Sequence, residues 1–137
     1  MKHIKLFEEY DYRNYEDNII EMKKHNIGDI ISYERLHNYA NALHNFQMED
    51  YDDDEKFITD HILKYPKFIL TELNIKDLDL YPIDPTIVDE YIDLYKETNW
   101  YPPIIYDKEE DLIIDGYHRT TVLDKLGEEK ILAWVGI

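Results

Sequence analysis

From Pro66 onward the apolar residues come in short runs: Phe68-Ile69-Leu70-Thr71-Glu72-Leu73, Pro103-Ile104-Ile105-Tyr106, Leu112-Ile113-Ile114 and Lys130-Ile131-Leu132-Ala133-Trp134-Val135. Runs this short, rich in β-branched and aromatic residues and bounded by turn formers, are strands rather than helices. Between the first two, Asp84-Pro85 supplies an N-cap and a first-turn proline. Ile87, Val88, Tyr91, Ile92 and Tyr95 then line one helical face opposite Asp89, Glu90, Asp93 and Glu97. The second and third runs are joined by the acidic turn Asp107-Lys108-Glu109-Glu110-Asp111. A helix over about 118–126, stopped by Gly127, separates the third run from the last. Strands interleaved with helices predict an α+β domain over residues 65–137, a small mixed β-sheet with flanking helices.

Residues 1–64 read as a helical N-terminal extension. Ile19, Ile20, Met22 and Lys23 belong to a helix ending near Asn26-Ile27-Gly28. Asp29 or Ser32 caps a second, with Ile31, Leu36, Tyr39, Ala40, Leu43 and Phe46 at helical spacing. A third, over about 55–64, carries Phe57, Ile58, Ile62 and Leu63. The six carboxylates of Glu49-Asp50-Tyr51-Asp52-Asp53-Asp54-Glu55 repel one another and predict a solvated turn or linker. Asp50, Asp52 and Asp54 have the alternation of a calcium loop, but Glu55 stands where that loop needs Gly and His61 where it needs Glu. His37, His44 and His61 lack the i, i+4 spacing of helical zinc ligands. No residue is therefore assigned to a metal.

Charge narrows the function classes. The 137 residues carry a net charge of −16, with eight Lys/Arg against 15 Asp/Glu before Pro66 and seven against 16 from there on. Neither half offers the basic face that duplex DNA or RNA requires. A hydrophobic share of 44% and 13 tyrosines mark a folded chain. No apolar run reaches the ~20 residues of a membrane span, and the N-terminus has no signal-peptide core, so a cytoplasmic protein is expected. The absence of cysteine removes disulfides, thiolate metal sites and thiol nucleophiles.

Chemistry concentrates in Asp115-Gly116-Tyr117-His118-Arg119-Thr120, where a strand runs through one glycine into a helix. The first turn of a helix presents N–H groups and the positive end of the dipole, which suits phosphate. Arg119 adds a planar fork of donors and His118 a further donor. The alternative is that Arg119 pairs with Asp115 or Asp124 and His118 only packs. Asp79, Asp84, Asp115 and Asp124 are the carboxylates placed to flank such a pocket, with Asp115 favoured.

The order Asp84-Pro85, amphipathic helix, Pro102-Pro103-Ile104, strand, Asp115-Gly116-Tyr117-His118-Arg119, helix, Leu126-Gly127 and final strand resembles the ParB/sulfiredoxin superfamily. The resemblance spans the whole of 65–137. It implies that Gly116, Tyr117, His118, Arg119 and Thr120 hold an ATP- or ADP-type nucleotide, with Mg²⁺ beside its phosphates, and that Asp115 and His118 are the catalytic candidates. The motif form is similar to that of the free serine kinases. Sulfiredoxins place their catalytic cysteine where Tyr117 stands, and contact the nucleoside where this chain has Ile87, Glu90 and Leu94; sulfinic acid reduction is excluded. Partition proteins use a more basic arginine pair together with a helix-turn-helix domain, so canonical partition activity is not expected.

The expectation is thus a nucleotide- or phosphometabolite-binding protein, as a small-molecule kinase or nucleotide hydrolase, whose partner is a nucleotide or a phosphorylated small molecule. The alternative is a non-enzymatic acidic interaction protein, an inhibitor or nucleic-acid mimic that binds a basic protein and keeps the fold as scaffold. The start Lys5-Leu6-Phe7-Glu8-Glu9-Tyr10 resembles those of small tailed-phage proteins, which would place the chain in a host cytoplasm.

Overall fold

A five-stranded mixed sheet organises the chain, and its middle strand is the last one in sequence. The structure is a computed structural model that describes residues 15–45, 55–80 and 82–137. Its elements are α1 (Tyr15–Met22), β1 (Ile30–Ser32), α2 (Tyr33–Asn45), α3 (Glu55–Ile62), β2 (Lys67–Asn74), a 3₁₀ turn (Ile75–Asp77), α4 (Pro85–Thr98), β3 (Ile104–Asp107), β4 (Leu112–Asp115), α5 (Tyr117–Lys125) and β5 (Lys130–Gly136). The strand order is β1-β2-β5-β3-β4. β5 pairs antiparallel with β2 from Gly136 to Lys130 and parallel with β3, which itself pairs antiparallel with β4. The architecture is therefore the expected α+β sheet with flanking helices.

β5 takes the centre because it is apolar on both faces. Trp134 joins Phe68, Leu70, Ile105 and Ile114 in a core closed by Met22, Leu36, Tyr39, Ile58 and Ile62 of the helices before β2. Ile131, Ala133 and Val135 join Ile104, Tyr106 and Ile113 in a second core, closed by Ile75 and Leu123. α5 contributes to both, through Val122 on one side and Leu123 on the other. α4 begins as its sequence dictates: Asp84 accepts the Thr86 N–H at 2.8 Å, Pro85 follows, and Asn99 closes the far end in the left-handed region. Among the described residues no helix is long and apolar enough to cross a membrane.

One element departs from the sequence reading. Ile31 was assigned to the second helix by its spacing, yet it sits in β1, pairs with Phe68, and the helix begins at Tyr33. A three-residue edge strand offers no period to detect, and burial of Ile31 against β2 outweighs its helical register. The sheet thus takes a strand from the region before residue 65. The acidic residues 49–54, with Asp50, Asp52 and Asp54 of the calcium-like pattern, the start Lys5–Tyr10, and the His44 side chain lie outside what the structure describes.

The segment just after α3 is tied to the β3–β4 turn through one buried carboxylate. Asp107 is almost fully buried; its Oδ1 accepts the Tyr65 hydroxyl at 2.6 Å and the Glu109 and Glu110 N–H groups, while its Oδ2 lies 2.6 Å from Lys64 Nζ. The Tyr65 ring reaches Asp107 across Gly136, where a Cβ would stand 2.2 Å from the ring. Burial raises the pKa of Asp107, but hydrogen bonds from Lys64, Tyr65 and Glu110 overcome it and hold the carboxyl at about 2; the same bond pushes Tyr65 up to about 12. A depressed carboxyl stabilises the fold fully above its unfolded pKa, and that stability fades as pH falls through the folded one. Asp107→Asn should accordingly cost about 1–3 kcal/mol at neutral pH. Urea titrations of both proteins should show the gap closing between pH 4 and pH 2. A gap independent of pH would mean that the ionised form contributes nothing.

Candidate functional site

The motif turn is assembled from β4, α5 and the segment entering β3. Asp115 ends β4 opposite Ile105, beside a register shift between Ile105 and Tyr106. Gly116 follows at φ 113°, a conformation that suits glycine, and serves as the N-cap of α5. A Cβ there would lie 2.3 Å from Ile104 Cγ2 and 2.9 Å from Arg119 Nη2. Glycine is therefore required by close packing beneath the turn as well as by the backbone angle. Thr120 returns to the cap: its N–H and its hydroxyl donate to Gly116 O at 2.9 and 2.7 Å.

Arg119 is where structure and sequence expectation part. Its fork was expected to face a ligand, but the side chain is 0% exposed. Nη2 donates to Pro103 O at 3.3 Å and lies 3.7 Å from Asp115 Oδ2, itself fully buried. The pairing with Asp115, posed as the alternative from sequence, is the one the structure adopts. The reason is helical phase: Arg119 precedes the buried Val122 and Leu123 by three and four residues, so it falls on the stripe that faces the core. That spacing was the signal available in the sequence. Arg119 thus positions the turn from below.

The Tyr117 and His118 side chains lie closer to the surface. His118 is 6% exposed and stacks on Tyr91 of α4, with ring centroids 5.1 Å apart and planes 21° from parallel. Tyr117 is half-buried against the core that contains Leu123. Of the flanking carboxylates, Asp115 is brought to the turn, Asp84 caps α4, Asp79 is exposed, and Asp124 sits at the far end of α5. There Asp124 borders a cavity of about 280 Å³ with Asn74, Lys76, Glu128 and Glu129. Ile87 and Leu94 are half-buried and Glu90 is exposed on α4.

The turn presents hydrogen-bond donors rather than an exposed carboxylate. The first-turn N–H groups of α5 have no acceptors within the helix, and the dipole adds positive potential. Asp115, the only carboxylate of the six-residue motif, faces Arg119 and is closed to solvent. It is not presented as a Mg²⁺ ligand.

No protein-family model matches the sequence, and no curated protein matches it. Among solved structures the chain is similar to a Pnob8-like ParB-N domain, at 23% identity and a TM-score of 0.37. The match covers 51% of this chain and 31% of that one, so the chain spans less than a third of that protein's solved length. A likeness of that size carries nothing about ligands.

Arg119→Met should destabilise the fold by about 3–5 kcal/mol, because it leaves Asp115 buried without its cation. The double variant Asp115→Asn/Arg119→Met should recover most of that loss. Chemical denaturation of the three proteins measures both, and a single variant as stable as the parent would remove the positioning role.

Proposed function

We propose that the protein binds a nucleotide or a phosphorylated small molecule at the Gly116-Tyr117-His118 turn of a ParB/sulfiredoxin-like fold. The observation that carries this reading is the buried Asp115–Arg119 pair beneath a glycine-opened helix N-terminus. Two buried charges cost more desolvation than an apolar pair of the same volume, so stability alone is a poor reason to keep them. What the pair does is fix a turn: Arg119 holds the segment before β3 through Pro103 O and sits against the Gly116 cradle. A turn held this way keeps its N–H groups aimed without rearrangement, as a site that binds phosphate oxygens through the backbone requires.

In this reading the ligand contacts come from the first turn of α5 and from His118, whose ring is oriented by Tyr91. Phosphoryl transfer needs mainly positioning and charge neutralisation, and this chain supplies the former through the helix end. A kinase or a nucleotide hydrolase is the reaction class that follows, with Mg²⁺ entering on the phosphates rather than through Asp115. The surface charge argues against duplex nucleic acid: −16 repels a phosphate backbone over a Debye length of about 8 Å at physiological salt.

A second reading has its own support. The chain is acidic throughout, and the side chains of His118 and Arg119 are occupied inside the fold, as they would be in a scaffold that meets a basic protein with its surface. Thermal-shift measurements with nucleoside mono-, di- and triphosphates, with and without Mg²⁺, separate the two, since a ligand of the native state raises stability by mass action. A nucleotide that raises the midpoint should bind at least tenfold more weakly to His118→Ala by calorimetry. A panel without any stabilising nucleotide, or equal affinity in the variant, hands the lead to the interaction protein.

A further inference from the structure

The Lys64–Asp107 contact is part of a larger group that the nucleotide reading does not use. Among the described residues, ligand atoms of His61, Asp107 and Glu110 lie within 4.8 Å of one another. His61, in the last turn of α3, meets Asp107 and Glu110 of the β3–β4 hairpin from 46 and 49 residues away in sequence. Asp107 and His61 are already oriented from outside the group. Asp107 Oδ1 is engaged by Tyr65 and the Glu109 and Glu110 N–H groups, which leaves Oδ2 turned inward. His61 Nδ1 lies 2.9 Å from Phe57 O, and a carbonyl only accepts, so Nδ1 carries the proton.

The far nitrogen of that ring is then the informative atom. In a neutral imidazole protonated at Nδ1, Nε2 is a lone pair, and here it stands 2.9 Å from Glu110 Oε2, another acceptor. Such a contact becomes attractive only with a second proton on the ring or with a cation between the two atoms. A backbone carbonyl on Nδ1 is also the outer arrangement that aims Nε2 at a metal. Lys64 Nζ, 2.6 Å from Asp107 Oδ2 and 3.1 Å from Glu110 Oε2, marks the point on which positive charge is drawn.

We propose that His61, Asp107 and Glu110 form a zinc site in which the Lys64 ammonium holds the place of the metal and is displaced when zinc binds. One imidazole and two carboxylates suit Zn²⁺, whereas Ca²⁺ needs six or more oxygens. Tetrahedral zinc with bonds near 2.1 Å sets its ligand atoms about 3.4 Å apart, so a group spread over 4.8 Å closes modestly once the lysine leaves. Lys64 is about a third exposed and Glu110 half exposed, which gives the lysine an exit and the metal an entry. Three protein ligands leave one tetrahedral position for water or substrate. Sequence reasoning missed this site because His61 lies far along the chain from Asp107 and Glu110, and only the fold joins them.

Calorimetric titration of the full chain with Zn²⁺, and of Co²⁺ by its visible absorption, tests the proposal. The wild type should take up one equivalent that is weakened at least tenfold in Glu110→Gln, whose side chain is exposed and tolerant, and likewise in His61→Gln. Lys64→Met should bind zinc at least tenfold more tightly, because the competing ammonium is gone. A merely structural ion pair gives no such gain. Equal affinity in wild type and Glu110→Gln, no tightening in Lys64→Met, or no uptake by either protein overturns it.

Discussion

A guanidinium with no access to solvent sets the geometry of the C-terminal half. Arg119 reaches from the first turn of α5 under Gly116 to the carbonyl of Pro103, with the Asp115 carboxylate 3.7 Å away. Four segments meet there: the end of β4, the start of α5, the approach to β3 and, through Gly116 and Ile104, β3 itself. A charge in that position is costly unless it meets an acceptor and a counter-charge, and this arrangement sets Pro103 O and the Asp115 carboxylate beside it. The same arrangement leaves the N-terminus of α5 fixed in direction, which links a packing demand to the proposed phosphate site.

The two cores on either side of the sheet explain why this turn can be rigid. Val122 and Leu123, one turn beyond Arg119, anchor α5 into both, and Trp134 and Val135 of the central strand stand behind them. A helix held on two sides cannot shift its first turn without disturbing both cores. The second polar centre, around Asp107, plays the corresponding part at the other end of β3 by fastening Lys64 and Tyr65, just beyond α3, to the β3–β4 turn. β3 is thus pinned at its start by Arg119 and at its end by Lys64 and Tyr65.

Much of this was legible in the sequence because local chemistry decided it. Asp84-Pro85 caps α4 as written, Gly116 sits at the strand-to-helix turn as expected, and the four apolar runs after Pro66 are the four strands β2 to β5. β1 was not legible, since three residues carry no periodicity and their pairing depends on a partner nearly forty residues away. The direction of Arg119 was encoded by its spacing to Val122 and Leu123, but the charge of the side chain argued for solvent while the phase argued for the core. Phase prevailed because Pro103 and Asp115 were there to receive the charge. The His61, Asp107 and Glu110 grouping is purely tertiary, set by how α3 lies against the hairpin, and no local pattern announces it.

In the proposed function the backbone of the Gly116 turn holds the ligand and Arg119 supports it. Amide NMR spectra recorded during titration with ADP and ATP, with Mg²⁺ present, decide whether it does. Binding at the turn requires the largest saturable shifts at the N–H groups of Gly116, Tyr117 and His118, with smaller ones at Tyr91 on the stacked face of α4. Shifts that are absent from these residues, or that saturate together only at sites remote from the turn, would contradict it.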